Sequence, residues 1–183
     1  MTVVAAALML VPLLVGAGVA AADHPPAFHA GPVFPGYGKI ATVDSDLPVP
    51  RDTVLKVAFD VSDQAKPGEV NRGLDTVARF INMHVAAGVP EANIHVGVVV
   101  HGKAGIDLLD AAAYGARIPG AINANAPLIR QLLDHRVRIY LCGQSAAGMG
   151  IAKRDVLPGV QMALSAMTAF ALLQQQGYSV NPF

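Results

Sequence analysis

Three short, nearly continuous apolar runs separated by segments of helical spacing constrain this chain more than any other feature. They are Val54–Val61 (VLKVAFDV), Asn93–Val100 (NIHVGVVV) and Val137–Leu141 (VRIYL). A strand covered on one face alternates apolar and polar residues, whereas one covered on both faces reads as an unbroken apolar run. Between the first two, Val70, Leu74, Val77, Ala78, Ile81 and Val85 recur at the spacing of one helix face over 70–87, and Gly88-Val89-Pro90 stops the pattern. The spacing also predicts a short helix over Gly105–Tyr114, a polar loop over Gly115–Asn125, and a helix over Pro127–His135 opened by Pro127 in its first turn. A short, glycine-weakened helix over Gly143–Ala152 and a fourth strand over Val160–Leu164 follow. A helix over Ala166–Gln176 ends at Gly177, and the last residues (YSVNPF) form an edge strand. Regular alternation of strand and helix predicts a three-layer α/β domain over 53–183, with a mainly parallel sheet and helices on both faces.

The residues ahead of this domain have a different character. Residues 1–22 carry no charge, and an apolar run over Val3–Val15 passes into small residues ending Ala20-Ala21-Ala22 before Asp23. This is the pattern of a secretory signal with an A-x-A cleavage site, although no Lys or Arg precedes the apolar run. The expected location is periplasmic or secreted. The alternative is an uncleaved membrane anchor, since at about 1.5 Å per residue the segment just spans a core of about 30 Å. A mature amino terminus at Asp23 distinguishes the first from the second. Loss of the leader lowers the hydrophobic share from 53% to about 49%, ordinary for a soluble domain. Residues 23–52 are rich in Pro and Gly and lack either period, so they read as an extended arm. Its aromatics, in Val33-Phe34-Pro35-Gly36-Tyr37, predict that it lies on a surface, its own or a neighbour's.

Charge and cysteine content exclude several classes of function. Thirteen basic and thirteen acidic side chains give no net charge, so the electrostatic footprint of a general nucleic-acid binder is missing. One cysteine excludes an internal disulfide framework and Cys-rich metal clusters. His24 and His29 in the arm do not make a metal site, and no metal or cofactor is expected. Gly97–Ala104 (GVVVHGKA) imitates a phosphate-binding loop, but three of its spacer residues are valines continuing a buried strand. The position that needs a magnesium-binding hydroxyl is Ala104. No G-x-G-x-x-G opens a helix after the first strand, which leaves a dinucleotide site unsupported.

Positions at the strand ends carry the functional argument. His101 closes the second strand, and ligands of open α/β sheets bind beyond the carboxyl ends of the strands. Asp60, Cys142 and Ser165 fall at the ends of the other three, so four polar or reactive groups converge on one rim. Cys142 stands at the amino terminus of the helix that follows it, where free amides and the helix dipole favour a thiolate. Gly143 keeps access to those amides open, and Gln144 and Ser145 are candidate donors to a bound anion or persulfide. The opposing reading is that Cys142 is a packed, inert apolar filler. His84, His95 and His135 lack ligand-like pairing and read as packing or surface residues, and Met162–Met167 reads as core.

The chain resembles the DsrE/DsrF-like family. The resemblance is carried, in order, by Val54–Val61 (VLKVAFDV), Asn71 with the helix to Asn82, and Val98–Gly102 (VVVHG). The Asn123-containing loop, Leu141–Ser145 (LCGQS), Leu157–Val160 (LPGV), Leu164–Thr168 (LSAMT) and Leu173–Tyr178 (LQQQGY) continue it. The leader and Gly31–Gly38 (GPVFPGYG) look like the exported branch. The resemblance implies a DsrE-like, flavodoxin-like three-layer fold assembling into homotrimers or hexamers. It also implies a cysteine after a central strand, here Cys142, that accepts sulfur as a persulfide and passes it between donor and acceptor proteins. Three functions are therefore expected to compete. They are sulfur binding or relay through Cys142, a non-catalytic small-ligand-binding or structural oligomer, and a thiol hydrolase pairing Cys142 with His101.

Overall fold

The computed structural model describes residues 27–182; the leader over 1–22, Asp23 and His24 lie outside them. Five strands and five α-helices alternate: β1 (Leu55–Val61), α1 (Arg72–Ala86), β2 (Ile94–Val100), α2 (Ala111–Arg117) and α3 (Ala126–Asp134). These are followed by β3 (Arg138–Cys142), α4 (Gly143–Gly148), β4 (Gln161–Ala163), α5 (Ala166–Gln175) and β5 (Ser179–Asn181). Among the described residues every pairing within the sheet is parallel, in the order β4-β3-β2-β1-β5. No described helix is long and apolar enough to cross a membrane.

Period-two alternation divides the sheet into two unequal faces. On one, Val57, Phe59, Val61, Val96, Val98, Val100, Ile139 and Leu141 are buried together with Leu74, Val77 and Ile81 of α1 and Leu128, Ile129 and Leu132 of α3. On the other, a smaller cluster joins Ala58 and Val99 to Ala169 and Leu173 of α5. Gly97 makes that seat possible, because a Cβ there would lie 3.1 Å from Leu173 Cδ1. Helix α5 thus runs along the second face, its last turn reaching Lys56 and Arg138 at the starts of β1 and β3. Its own outer side stays apolar, with Met167 78% and Leu172 52% exposed.

The segment before β1 is fastened to the first face. His29 and Ile40 pair through both backbone groups, at 2.8 and 3.0 Å, closing a loop around Phe34. Phe34 is fully buried, with its ring edge-on to His135 at 4.8 Å. The surface that the arm's aromatics called for is therefore the chain's own, and Asn82 of α1 makes the attachment. Asn82 Oδ1 accepts from the amides of Val33 (3.0 Å) and Phe34 (2.9 Å), and Nδ2 faces the carbonyls of Phe34, Tyr37 and Gly38.

Three local expectations differ from the structure for identifiable reasons. The single helix expected over Gly105–Tyr114 is a 3₁₀ stretch, Gly102–Leu108, followed by a new helix. The break occurs because Leu109 bridges Val156 and Asp110 starts α2, its Oδ1 accepting from Ala113 N at 2.8 Å. The stretch Gly115–Asn125, read as a polar loop, begins inside α2 and ends with two buried asparagines. Asn123 Nδ2 donates to the carbonyls of Asp107 and Leu109, and Asn125 Oδ1 accepts from Asn71 N at 2.7 Å. Met162–Met167 is core only at its start, since Leu164 is 73% exposed and Met167 lies on the outer side of α5.

The buried asparagines belong to a polar cluster beneath the loop from Ser62 to Val70. Asp107 Oδ2 accepts from Ala65 N at 2.8 Å and from Asn71 Nδ2 at 2.7 Å. Burial pushes the Asp107 carboxyl above its ordinary range, against these two hydrogen bonds. Asn71 also caps α1, its Oδ1 accepting from Gly73 N at 2.8 Å. The cluster therefore ties the carboxyl end of β1 to the start of α1.

Candidate functional site

The carboxyl end of the second face holds Asp60, His101 and Cys142 at three neighbouring strands. Asp60 pairs with Val99 and Val100 pairs with Leu141, so alternation points Asp60, His101 and Cys142 to the same side as α5. Adjacent strands are about 4.8 Å apart, which makes the three a diagonal row across the sheet. His101 Nε2 lies 2.7 Å from Asp60 Oδ1, both side chains partly exposed. Ser165, one strand beyond Cys142, does different work: its Oγ accepts from Thr168 N at 3.0 Å and caps α5.

Cys142 is the last residue of β3 and the N-cap of α4, with 5% of its surface exposed. Its Sγ accepts from Ser145 N at 3.5 Å. Burial by itself raises the thiol's pKa. Hydrogen bonds from the Ser145 hydroxyl and from the amides of Ser145, Ala166 and Gln144 outweigh it and hold the thiol below its ordinary value. Gln144 and Ser145 belong to α4 and Ala166 to α5, so two helix amino termini contribute donors to one sulfur. The Ser145 hydroxyl oxygen accepts from Gly102 N at 3.0 Å, which fixes its place beside the thiol. A chain of donors thus runs from Gly102 through Ser145 to Cys142.

Gly143 serves a purpose beyond leaving amides accessible. A Cβ there would lie 2.6 Å from Ala163 O and 3.1 Å from Leu164 O, so glycine lets the start of α4 pass against the end of β4. Gln144 strengthens that junction by donating from Nε2 to Leu164 O at 3.2 Å. The four strand-end residues and their neighbours are therefore in one region, with distinct attachments. Cys142 accepts from Ser145 N, with the amides of Gln144 and Ala166 near enough to favour its anion; His101 is bonded to Asp60; Ser165 is turned to its own helix. Among the described residues no hydrogen bond joins His101 to Cys142, and no group of three or more His, Cys, Asp or Glu stands close enough to hold a metal.

Sequence reasoning missed the amides of Ala166 and Gly102. Backbone donors have no residue-type signature, and only the Ser165-Ala166-Met167-Thr168 cap pattern hinted that a second helix begins beside the thiol. A separate groove of about 610 Å3 opens beside Asp60, lined by Ser62–Lys66, the start of α1 and Pro182. It lies where β1 and β5 part, at the point where the chain's crossovers change sides of the sheet, and it does not include Cys142.

The fold has counterparts among solved structures. The protein of unknown function MTH1491 from Methanobacterium thermoautotrophicum is 16% identical with a TM-score of 0.52, over 70% of this chain and 99% of that one. The ychN protein from E. coli is likewise 16% identical with a TM-score of 0.52, over 71% of this chain and all of its own. Among curated sequences none matches significantly. The sequence profile of the DsrE/DsrF-like family matches residues 56–182, which spans every strand of the sheet except the first residue of β1. This chain belongs to the DsrE/DsrF-like family.

Proposed function

We propose that this protein is an exported, self-associating member of the family that carries sulfur on Cys142 as a persulfide. The observation that carries the reading is the convergence of the α4 and α5 amides and the Ser145 hydroxyl on one sulfur, which favours the thiolate needed for attack. In loading, the Cys142 thiolate attacks the outer sulfur of a donor persulfide. A new S–S bond forms on Cys142, the donor's S–S bond breaks, and the donor leaves as a thiolate. An acceptor thiolate then attacks the outer sulfur and releases Cys142 as a thiolate. One sulfur atom moves in each step, and no external oxidant or reductant is consumed. The same amides that hold the thiolate stabilise the terminal anion only if it folds back toward them, while Asp60 and His101 line the open side.

Thiosulfate tests the loading step with balanced chemistry, since its outer sulfur transfers to a thiolate and sulfite departs. Purified protein treated with thiosulfate should gain the mass of one sulfur on the peptide bearing Cys142, and release it to dithiothreitol. An unchanged mass with both thiosulfate and a small-molecule persulfide contradicts the reading.

Self-association is supported by the apolar outer side of α5 and by Leu164, which together expose Leu164, Met167 and Leu172. Light scattering should give the mass of a trimer or hexamer at micromolar concentration, and a monomeric mass contradicts that part. A second reading, a small-ligand-binding oligomer with an inert thiol, is favoured by the low exposure of Cys142 and by the groove beside Asp60 that excludes it.

A further inference from the structure

The second face of the sheet is polar at both ends of its strands, and the end opposite Cys142 is basic. Lys56, His95 and Arg138, at or next to the first residues of β1, β2 and β3, share the side of α5 with Asp60, His101 and Cys142. Arg138 and Cys142 are about 13 Å apart along β3. With Arg136, Gln176 and Tyr178 these residues line a shallow basin of about 630 Å3. No carboxylate is among its lining residues, although the chain as a whole is electrically neutral.

Part of this arrangement has a structural cause. Lys56 Nζ donates to Gln176 O at 3.2 Å, and Arg138 Nη1 donates to Gln176 Oε1 at 3.2 Å while its guanidinium lies 4.9 Å over the Tyr178 ring. Both cations sit at the carboxyl end of α5, where the helix dipole favours them. Arg136 shares the dipole part of that cause, since it follows the carboxyl end of α3 and its amide donates to Leu133 O at 3.0 Å, but a dipole does not call for arginine at a left-handed position. Its side chain is exposed, makes no hydrogen bond or ion pair among the described residues, and yet occupies the turn before β3 with φ of 65°. That is the left-handed region in which glycine is the unstrained choice. A strained position that keeps an unpaired cation in a basin of other cations points to a function for the charge.

We propose that this basin binds a small oxyanion of the phosphate or sulfate class carrying at least two negative charges. Arg136 supplies the free guanidinium fork, and Arg138 and Lys56, held in place by Gln176 and Tyr178, supply the opposite wall. A planar guanidinium matches two oxygens of a tetrahedral anion, and a basin lined by only seven residues suits such an anion better than an extended acidic peptide. The site is independent of the chemistry at Cys142.

The test is a titration of the full chain with inorganic phosphate at constant ionic strength, followed by backbone amide shifts. Saturable shifts are expected at His95, Val96, Arg136, Arg138 and Tyr178. Arg136→Gly removes the cation while suiting the backbone, so it should weaken phosphate binding about tenfold without lowering the melting temperature. Lys56→Gln should weaken it to a smaller degree. Equal shifts with chloride, unchanged affinity in Arg136→Gly, or saturable binding of an acidic peptide without phosphate binding would each overturn the proposal.

Discussion

Replacing Asn82 by alanine should lower the stability of the domain by about 3–5 kcal/mol, more than any other single polar substitution in α1. The side chain is fully buried, and its amide is the partner of five backbone groups in the segment before β1. Alanine leaves two amides and up to three carbonyls without partners. Each unsatisfied buried group costs about 1–3 kcal/mol, and relaxation of the loop keeps the total below the sum. Phe34 depends on this attachment for its place in the core, so part of the loss is apolar. Chemical denaturation should show a lower midpoint, and limited proteolysis should cut between His29 and Ile40 in the variant before the wild type. Asn82→Asp keeps the acceptor, loses the donors and buries a charge, so it should be no better tolerated. A change below about 1 kcal/mol in the alanine variant would show that the segment is not part of the cooperative unit.

The second large effect is expected at Gly143. A methyl group there would meet the Ala163 carbonyl at 2.6 Å, and backbone on both sides leaves no flexible side chain to yield. The start of α4 must move away from β4, taking with it the amides of Gln144 and Ser145 that face the sulfur. Gly143→Ala should therefore cost about 1–3 kcal/mol of stability, as overpacking does, and slow thiosulfate loading of Cys142 about tenfold. Ser145→Ala separates the two effects. It removes the hydroxyl that faces Sγ but keeps the helix in place, so it should slow loading about threefold with a smaller loss of stability. Wild-type loading in Gly143→Ala would show that the amides of α4 do not govern the reactivity of the thiol.

Much of the architecture was legible because burial on both faces leaves a strong mark on a strand. The runs VLKVAFDV and NIHVGVVV could hardly be anything else, and the helix face from Val70 to Val85 was equally plain. Local boundaries failed where side-chain-to-backbone bonds decide them. Asp110 looks like any exposed acid in sequence, yet it restarts a helix, and Asn123 looks like a loop residue, yet it ties two carbonyls in the core. The arm's composition predicted only an extended segment on some surface, because Pro and Gly report only on local conformation. Its attachment depends on Asn82, 48 residues from Phe34, a separation that no local pattern encodes.

The candidate site shows the same division. Strand ends bring Asp60, His101, Cys142 and Ser165 to one rim, and their alternation is readable from register once the strands are known. Which of them touch is not readable. His101 bonds Asp60, Ser165 bonds its own helix, and the partners of Cys142 are largely backbone amides, whose identity in sequence is invisible.

Central to the proposed function is that the fold favours the thiolate of Cys142 beyond an ordinary cysteine. Its most direct test is the rate of alkylation of Cys142 in the native protein as a function of pH, with a small uncharged reagent that reaches a partly enclosed thiol. Because the hydrogen bonds from Ser145, Ala166 and Gln144 favour the anion, the thiolate should persist below the pH at which a free cysteine protonates. The expected rate profile falls at lower pH than that of a free cysteine, with the fall displaced to higher pH in Ser145→Ala. A rate that follows the curve of an unperturbed thiol and is identical in Ser145→Ala would contradict this reading of the site.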